Sequence, residues 1–161
     1  MLRLVFLLLT LFFTYDSCHA QGDPKPCKKL QEREYGRRRT MSTKYKYTNF
    51  VRIERTFKGG TATNRLLLRT HNPDLDEPDG ALVLLEDGTR LSWPDQPTSS
   101  SVKIDYGTWE HSCAILLNDE ELVLLNSSPI KEFEVGGYVG YPLAKNASLV
   151  QGQCGCINAV N

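Results

Sequence analysis

Past its first twenty residues the chain has no apolar run approaching the roughly 20 residues that a membrane-crossing helix needs. No membrane-spanning segment is therefore expected there. Histidine is scarce, and only His71 and His111 follow residue 20. No G-x-S-x-G elbow, metal-binding histidine pair or glycine-rich phosphate loop is present. Nothing in the chain calls for an enzyme, a metal or a cofactor. An excess of charge of either sign is also missing, with 19 basic and 19 acidic residues. That balance removes the simplest electrostatic case for a nucleic-acid or anionic-membrane partner.

What is present begins with an export signature. Arg3 precedes an apolar stretch, Leu4 to Phe13, that is too short to span a bilayer. Tyr15-Asp16 ends the stretch, and Cys18-His19-Ala20 offers small residues for cleavage. Residues 1–20 thus read as a signal peptide, and residues 21–161 as one secreted domain, expected to be a monomer. Removing Arg3 and Asp16 leaves 18 charges of each sign.

Four cysteines remain, Cys27, Cys113, Cys154 and Cys156, which in an exported chain implies two disulfides. A bridge between Cys154 and Cys156, separated only by Gly155, would close a strained ring. Two pairings stay open, 27–154 with 113–156 or 27–156 with 113–154. A metal site built from Cys154, Cys156, His71 and His111 has the ligand types but no recognised spacing. Sequons at Asn126 and Asn146 mark expected glycan acceptors on the surface.

Gln21 to Tyr35 is polar and reads as an N-terminal arm, partly helical from Lys28 to Arg33. Arg37-Arg38-Arg39 after Gly36 could be a heparin-type patch, a processing site or an amidation signal; the plain reading is a solvated basic turn. From Thr43 the period becomes two, with Tyr45, Tyr47, Val51, Ile53 and Phe57 alternating with charged residues, as in a half-buried strand. Lys58-Gly59-Gly60 signals a hairpin, with Arg65 to His71 as the return strand. The acidic stretch from Asn72 to Gly80 reads as an exposed loop; Pro78 and Leu85 stand where a calcium loop would need oxygen ligands. Further strands are expected at Ala81 to Leu85, Thr89 to Trp93, Ser101 to Tyr106, Ser112 to Leu117 and Glu121 to Leu125. Beyond Pro129 the pattern weakens, and a loop-rich tail is expected. Seven or eight strands joined by tight turns suit an antiparallel barrel or a sandwich, and closure into a barrel would remove exposed edges.

His111 near Glu110 and Cys113 could on paper pair a base with a nucleophile, but a disulfide role suits Cys113 better. The aromatic and acidic residues on or beside expected strands, namely Tyr47, Glu54, Trp93, Asp105 and Trp109, form the candidate ligand set. Aromatic faces with buried carboxylates attract organic cations, whereas singly such aromatics serve as core.

Two stretches carry a family resemblance. Thr48 to Phe57 ends in Arg55-Thr56-Phe57, and Ile104-Asp105-Tyr106 is followed by Cys113-Ala114-Ile115-Leu116-Leu117 and Glu121-Leu122-Val123-Leu124. In these the chain resembles a divergent tick salivary lipocalin of the histamine-binding type. The resemblance implies an eight-stranded up-and-down barrel with an N-terminal arm and a disulfide-tethered tail. It also implies sequestration of a small host mediator, a biogenic amine or a lipid such as a leukotriene, with Asp105 at an acidic pocket position. The alternative is an inhibitor of a host plasma protein (complement, a chemokine or a protease) acting through loops over a filled barrel.

Overall fold

The computed structural model describes residues 24–43, 50–73, 78–103 and 107–159. The expected signal peptide, Tyr47 and Asp105 lie outside these residues.

A short helix α1 (Pro24–Cys27) is followed by strands β1 (Leu30–Tyr35), β2 (Arg38–Thr43), β3 (Val51–Lys58) and β4 (Thr61–Asn72). Then come β5 (Ala81–Leu85), β6 (Arg90–Trp93), β7 (Ser99–Lys103) and β8 (Thr108–Leu117). The chain ends with α2 (Asp119–Ser127), β9 (Ile130–Val135), β10 (Tyr138–Gly140) and α3 (Ala144–Asn158).

The strands form two antiparallel sheets rather than a closed eight-stranded barrel. The larger has the order β1-β2-β3-β4-β8-β7, the smaller β10-β9-β5-β6. The barrel expectation assumed that each strand pairs with the next, but β4 pairs with β8 while the β5–β6 hairpin leaves for the second sheet. The edge strand β1 carries Glu32, Arg33 and Glu34, charges that disfavour edge-to-edge association. In the β3–β4 hairpin both turn residues, Gly59 and Gly60, take positive φ (57° and 81°), which a two-residue turn of this kind requires.

Alternation along the strands sends Val51, Ile53, Leu66, Leu68, Cys113 and Ile115 inward. They meet Val83, Leu85, Phe133 and Val135 of the smaller sheet in a single core. At the centre of that core Ile53, Leu66, Val83, Leu85 and Phe133 are fully buried.

Three other expectations are corrected. Residues 30–35, within the expected partly helical arm, form strand β1 hydrogen-bonded to β2. Glu121 to Leu125, read as a strand, is helical. Asn118 is an N-cap whose side chain accepts from Glu121 N while the Glu121 side chain accepts from Asn118 N, and Asp119 and Glu120 add negative charge at the positive helix end. The tail after Pro129 is a hairpin and a 15-residue helix, not loop.

Helix α3 presents Ala147, Val150, Cys154 and Ile157, at helical spacing, to the core. It packs against β3, β2 and β9, covering part of the larger sheet's inner face. Arg55 donates to the carbonyl of Ile157 at 2.6 Å, near the negative C-terminal end of α3. The fully buried Gln153 accepts from Thr43 Oγ1 at 2.7 Å. Cys156 is bridged to Cys27, tying α3 to α1 across 129 positions. The second expected bridge is not formed, and Cys113 and Cys154 are buried thiols.

Candidate functional site

The inward residues of β3, β4 and β8 leave Arg52, Leu67, Arg69, Ser112 and Ala114 on the outer face of the larger sheet. The segment from Gln96 to Ser99, which leads into β7, borders that face. Gln96 Nε2 donates to the Ala114 carbonyl at 3.3 Å, and the Ser99 and Ser112 hydroxyls lie 3.1 Å apart. The segment is itself anchored, since Gly80 N donates to Gln96 O at 2.8 Å and Thr98 Oγ1 to Pro78 O at 3.2 Å. On the other side Phe50 closes the boundary; its carbonyl accepts from Arg69 N at 2.8 Å.

Between these parts lies an open cleft of about 370 Å³, within the range of small-molecule sites. Leu67, Ala114, Pro97 and Phe50 supply apolar wall. Arg52, Arg69, Gln96, Thr98, Ser99 and Ser112 supply hydrogen-bond donors. Among the described residues no acidic side chain lines it. Just beyond its rim, the nearly buried Glu110 accepts from Arg69 Nε at 3.1 Å and approaches His71 Nε2 at 3.3 Å. Phe50 in turn packs edge-on against the His71 ring. Glu110 thus orients Arg69 and offsets part of its positive charge, and Arg52 places a second guanidinium on the lining.

The neighbouring residue points the other way. His111 is buried against the interior, with Nδ1 2.7 Å from Ser100 Oγ and its ring 4.3 Å from that of Tyr138. Glu110 and His111 therefore occupy opposite faces of β8. Burial pushes the Cys113 thiol up to about 11, so it is held protonated rather than as a nucleophilic thiolate. The arrangement does not make a catalytic group of Glu110, His111 and Cys113. Nor does it unite the cysteine–histidine metal set, because Cys156 is bridged and His71 and His111 face opposite sides.

The described members of the aromatic–acidic set, Glu54, Trp93 and Trp109, are dispersed. Glu54 lies on the outer face of β3 and accepts from Thr56 Oγ1. Trp93 ends β6 in the smaller sheet and donates to Glu121 Oε1 at 2.8 Å. Trp109 lies on the inner side of β8, in register with Asn72. Asn126 is exposed on α2, and Asn146 is half-buried in the first turn of α3. The residues that do converge, Arg52, Leu67 and Arg69 with Gln96 to Ser99, were not singled out in the sequence. The period-two alternation that places Arg52 was readable, but Arg69 follows the unbroken run Leu66-Leu67-Leu68, and its nearness to Arg52 depends on the pairing of β3 with β4.

The fold and site define a disulfide-linked, mostly antiparallel β-protein with an open cationic and apolar cleft on one sheet face. In comparisons with known proteins, no family model, no curated protein and no solved structure matches the chain.

Proposed function

We propose that this chain is an exported, non-enzymatic binding protein that holds an anionic amphiphile, a fatty-acid or leukotriene-like carboxylate, in the outer cleft. The observation that carries this reading is the pairing of an apolar floor with two arginines and no lining carboxylate among the described residues. An organic cation would meet repulsion there, so the lipid class of mediator fits better than the amine class. The carboxylate would accept from Arg52 and Arg69 while the tail covers Leu67, Ala114 and Phe50, exchanging water for apolar contact. Export is supported by the N-terminal signature and by the Cys27–Cys156 bridge, which suits an oxidising compartment. No helix among the described residues is long and apolar enough to cross a membrane. The resemblance to tick salivary lipocalins enters here as a proposed role, a scavenger delivered into a host, carried on an open two-sheet frame.

Native mass spectrometry of the folded, deglycosylated protein against fatty acids, leukotrienes, histamine and serotonin tests this. Expected is a retained one-to-one lipid anion, with Arg52→Gln weakening binding about tenfold, the loss of one charge-assisted hydrogen bond. Retention of an amine, or equal lipid binding by Arg52→Gln, would overturn it. The close-packed core among the described residues also favours a second reading, a host-protein inhibitor acting through its surface. Absence of any retained small molecule together with capture of one plasma protein would establish that instead.

A further inference from the structure

The charge balance of the whole chain conceals a segregation. From Leu30 to Arg65 there are ten lysines and arginines against three acidic residues, whereas from Leu66 to Asn161 there are five against fourteen. The fold concentrates part of the basic segment at one place. Register pairs Arg38 with Lys58, Lys58 with Thr61 and Thr56 with Thr63, so these side chains share the outer face at the hairpin end of the larger sheet. There Arg38, Lys58 and Arg65 line a second concavity of about 340 Å³ together with Thr56, Thr61 and Thr63. Its lining holds three cations and three hydroxyls, with no apolar or acidic side chain among the described residues. Glu54 stands at its border, opposite Arg65.

We propose that this concavity, formed by Arg38, Lys58 and Arg65 around the three threonines, binds a sulfated polysaccharide. The chemistry differs from that of the lipid cleft in having no apolar wall. Sulfate oxygens accept from guanidinium, ammonium and hydroxyl donors, and the sugar hydroxyls match Thr61 and Thr63, Thr56 Oγ1 donating to Glu54. The lining spans three strands and, along β4, the five residues from Thr61 to Arg65, roughly 10 by 13 Å, enough for a few sugar units of an extended chain. The turn residue Arg37 lies beside Arg38 and extends the positive field past the concavity. Among the described residues no aromatic ring lines it, so its lining offers none of the stacking platforms that single-stranded nucleic acids use. The choice of an extracellular polyanion rests on the export reading. The surface itself is independent of the lipid cleft.

The test is surface plasmon resonance of the folded mature protein on immobilised heparin at stepped salt. Arg38→Gln/Lys58→Gln and the triple variant adding Arg65→Gln are compared with an Arg90→Gln/Lys131→Gln control, whose side chains are exposed elsewhere. Expected is binding of the wild type and the control at roughly physiological salt. The double variant should bind at least about tenfold more weakly, the triple variant more weakly still, with a shallower salt dependence and unchanged melting. If the triple variant fails to fold, the double variant alone still decides the matter. Equal binding by double variant and control, equal binding to desulfated heparin, or full competition by inorganic sulfate or by a DNA oligonucleotide at matched charge would overturn the proposal. Failure here would leave lipid binding intact, and failure of lipid binding would leave this result standing.

Discussion

Trp93 donates its indole N–H to Glu121 Oε1 at 2.8 Å, and the other oxygen of the same carboxylate accepts from Asn118 N at 2.9 Å. One side chain thereby caps α2 and fastens the end of β6 to it. Both hydrogen bonds engage a charged acceptor, the stronger kind. Glu121→Ala is expected to cost about 2–3 kcal/mol, more than a cap alone, because the half-buried indole N–H loses its partner too. Glu121→Gln should retain much of the difference. Urea denaturation of the three proteins checks this, and equal midpoints for Ala and wild type would refute it.

Phe133 lies over Gly140, its cross-strand partner in the β9–β10 hairpin. A Cβ at Gly140 would sit 2.3 Å from Phe133 Cζ, and Phe133 is fully buried and cannot swing away. Gly140→Ala is expected to destabilise by about 1–3 kcal/mol through overpacking. Adding Phe133→Leu should make the second change less than additive. Thermal melts of the single and double variants read this directly.

Burial raises the thiols of Cys113 and Cys154 from 9.0 to about 11 and about 12. Folded protein at mildly alkaline pH should therefore resist iodoacetamide. Denatured, non-reduced mature protein should take up label at both thiols, and reduced protein at all four cysteines. No label before reduction would mean that a second bridge exists. Both folded values lie above the unfolded one, so the stabilisation from keeping the thiols protonated is complete below the unfolded value of 9.0. It is lost as pH rises through about 11 and about 12. Cys113→Ala/Cys154→Ala should flatten that alkaline decline while lowering stability at neutral pH through lost packing.

The Cys27–Cys156 bridge closes a loop of 129 positions. Loop-entropy reasoning gives it about 4–5 kcal/mol. Cys27→Ser/Cys156→Ser is expected to lose most of that. Gly152, against which Pro26 packs, makes the same junction close. A loss near zero on chemical denaturation would show that the unfolded chain is already constrained there.

Much of the strand content was legible. Val51 to Phe57 alternates with period two, Gly59-Gly60 marks the turn that leads to the return strand from Arg65 to His71, and β5 and β6 flank Asp87-Gly88 as expected. Helix α2 was readable too, because Asn118 and Glu121 at three-residue spacing are an N-terminal cap signature. The continuous run Leu122 to Leu125 outweighed it, since a short apolar run suits strand and helix alike. Helix α3 was harder. Gly152 and Gly155 lower its intrinsic propensity, and burial of Val150, Cys154 and Ile157 supplies what propensity lacks.

By itself the sequence determined what is local: where the chain alternates, where glycine lets it reverse, and that its cysteines suit an oxidising compartment. Only the tertiary structure decided that β4 pairs with β8, that α3 covers the sheet in place of barrel closure, and that Cys27 meets Cys156. It also decided that Arg52, Arg69 and the Gln96 to Ser99 segment share a cleft, and that Arg38, Lys58 and Arg65 gather in another. The physical reason is one of range. Turns and strands follow from dihedral preference and side-chain period within a few residues. Which strands become neighbours depends on the apolar surface that distant segments bury against one another, and no local pattern carries that information.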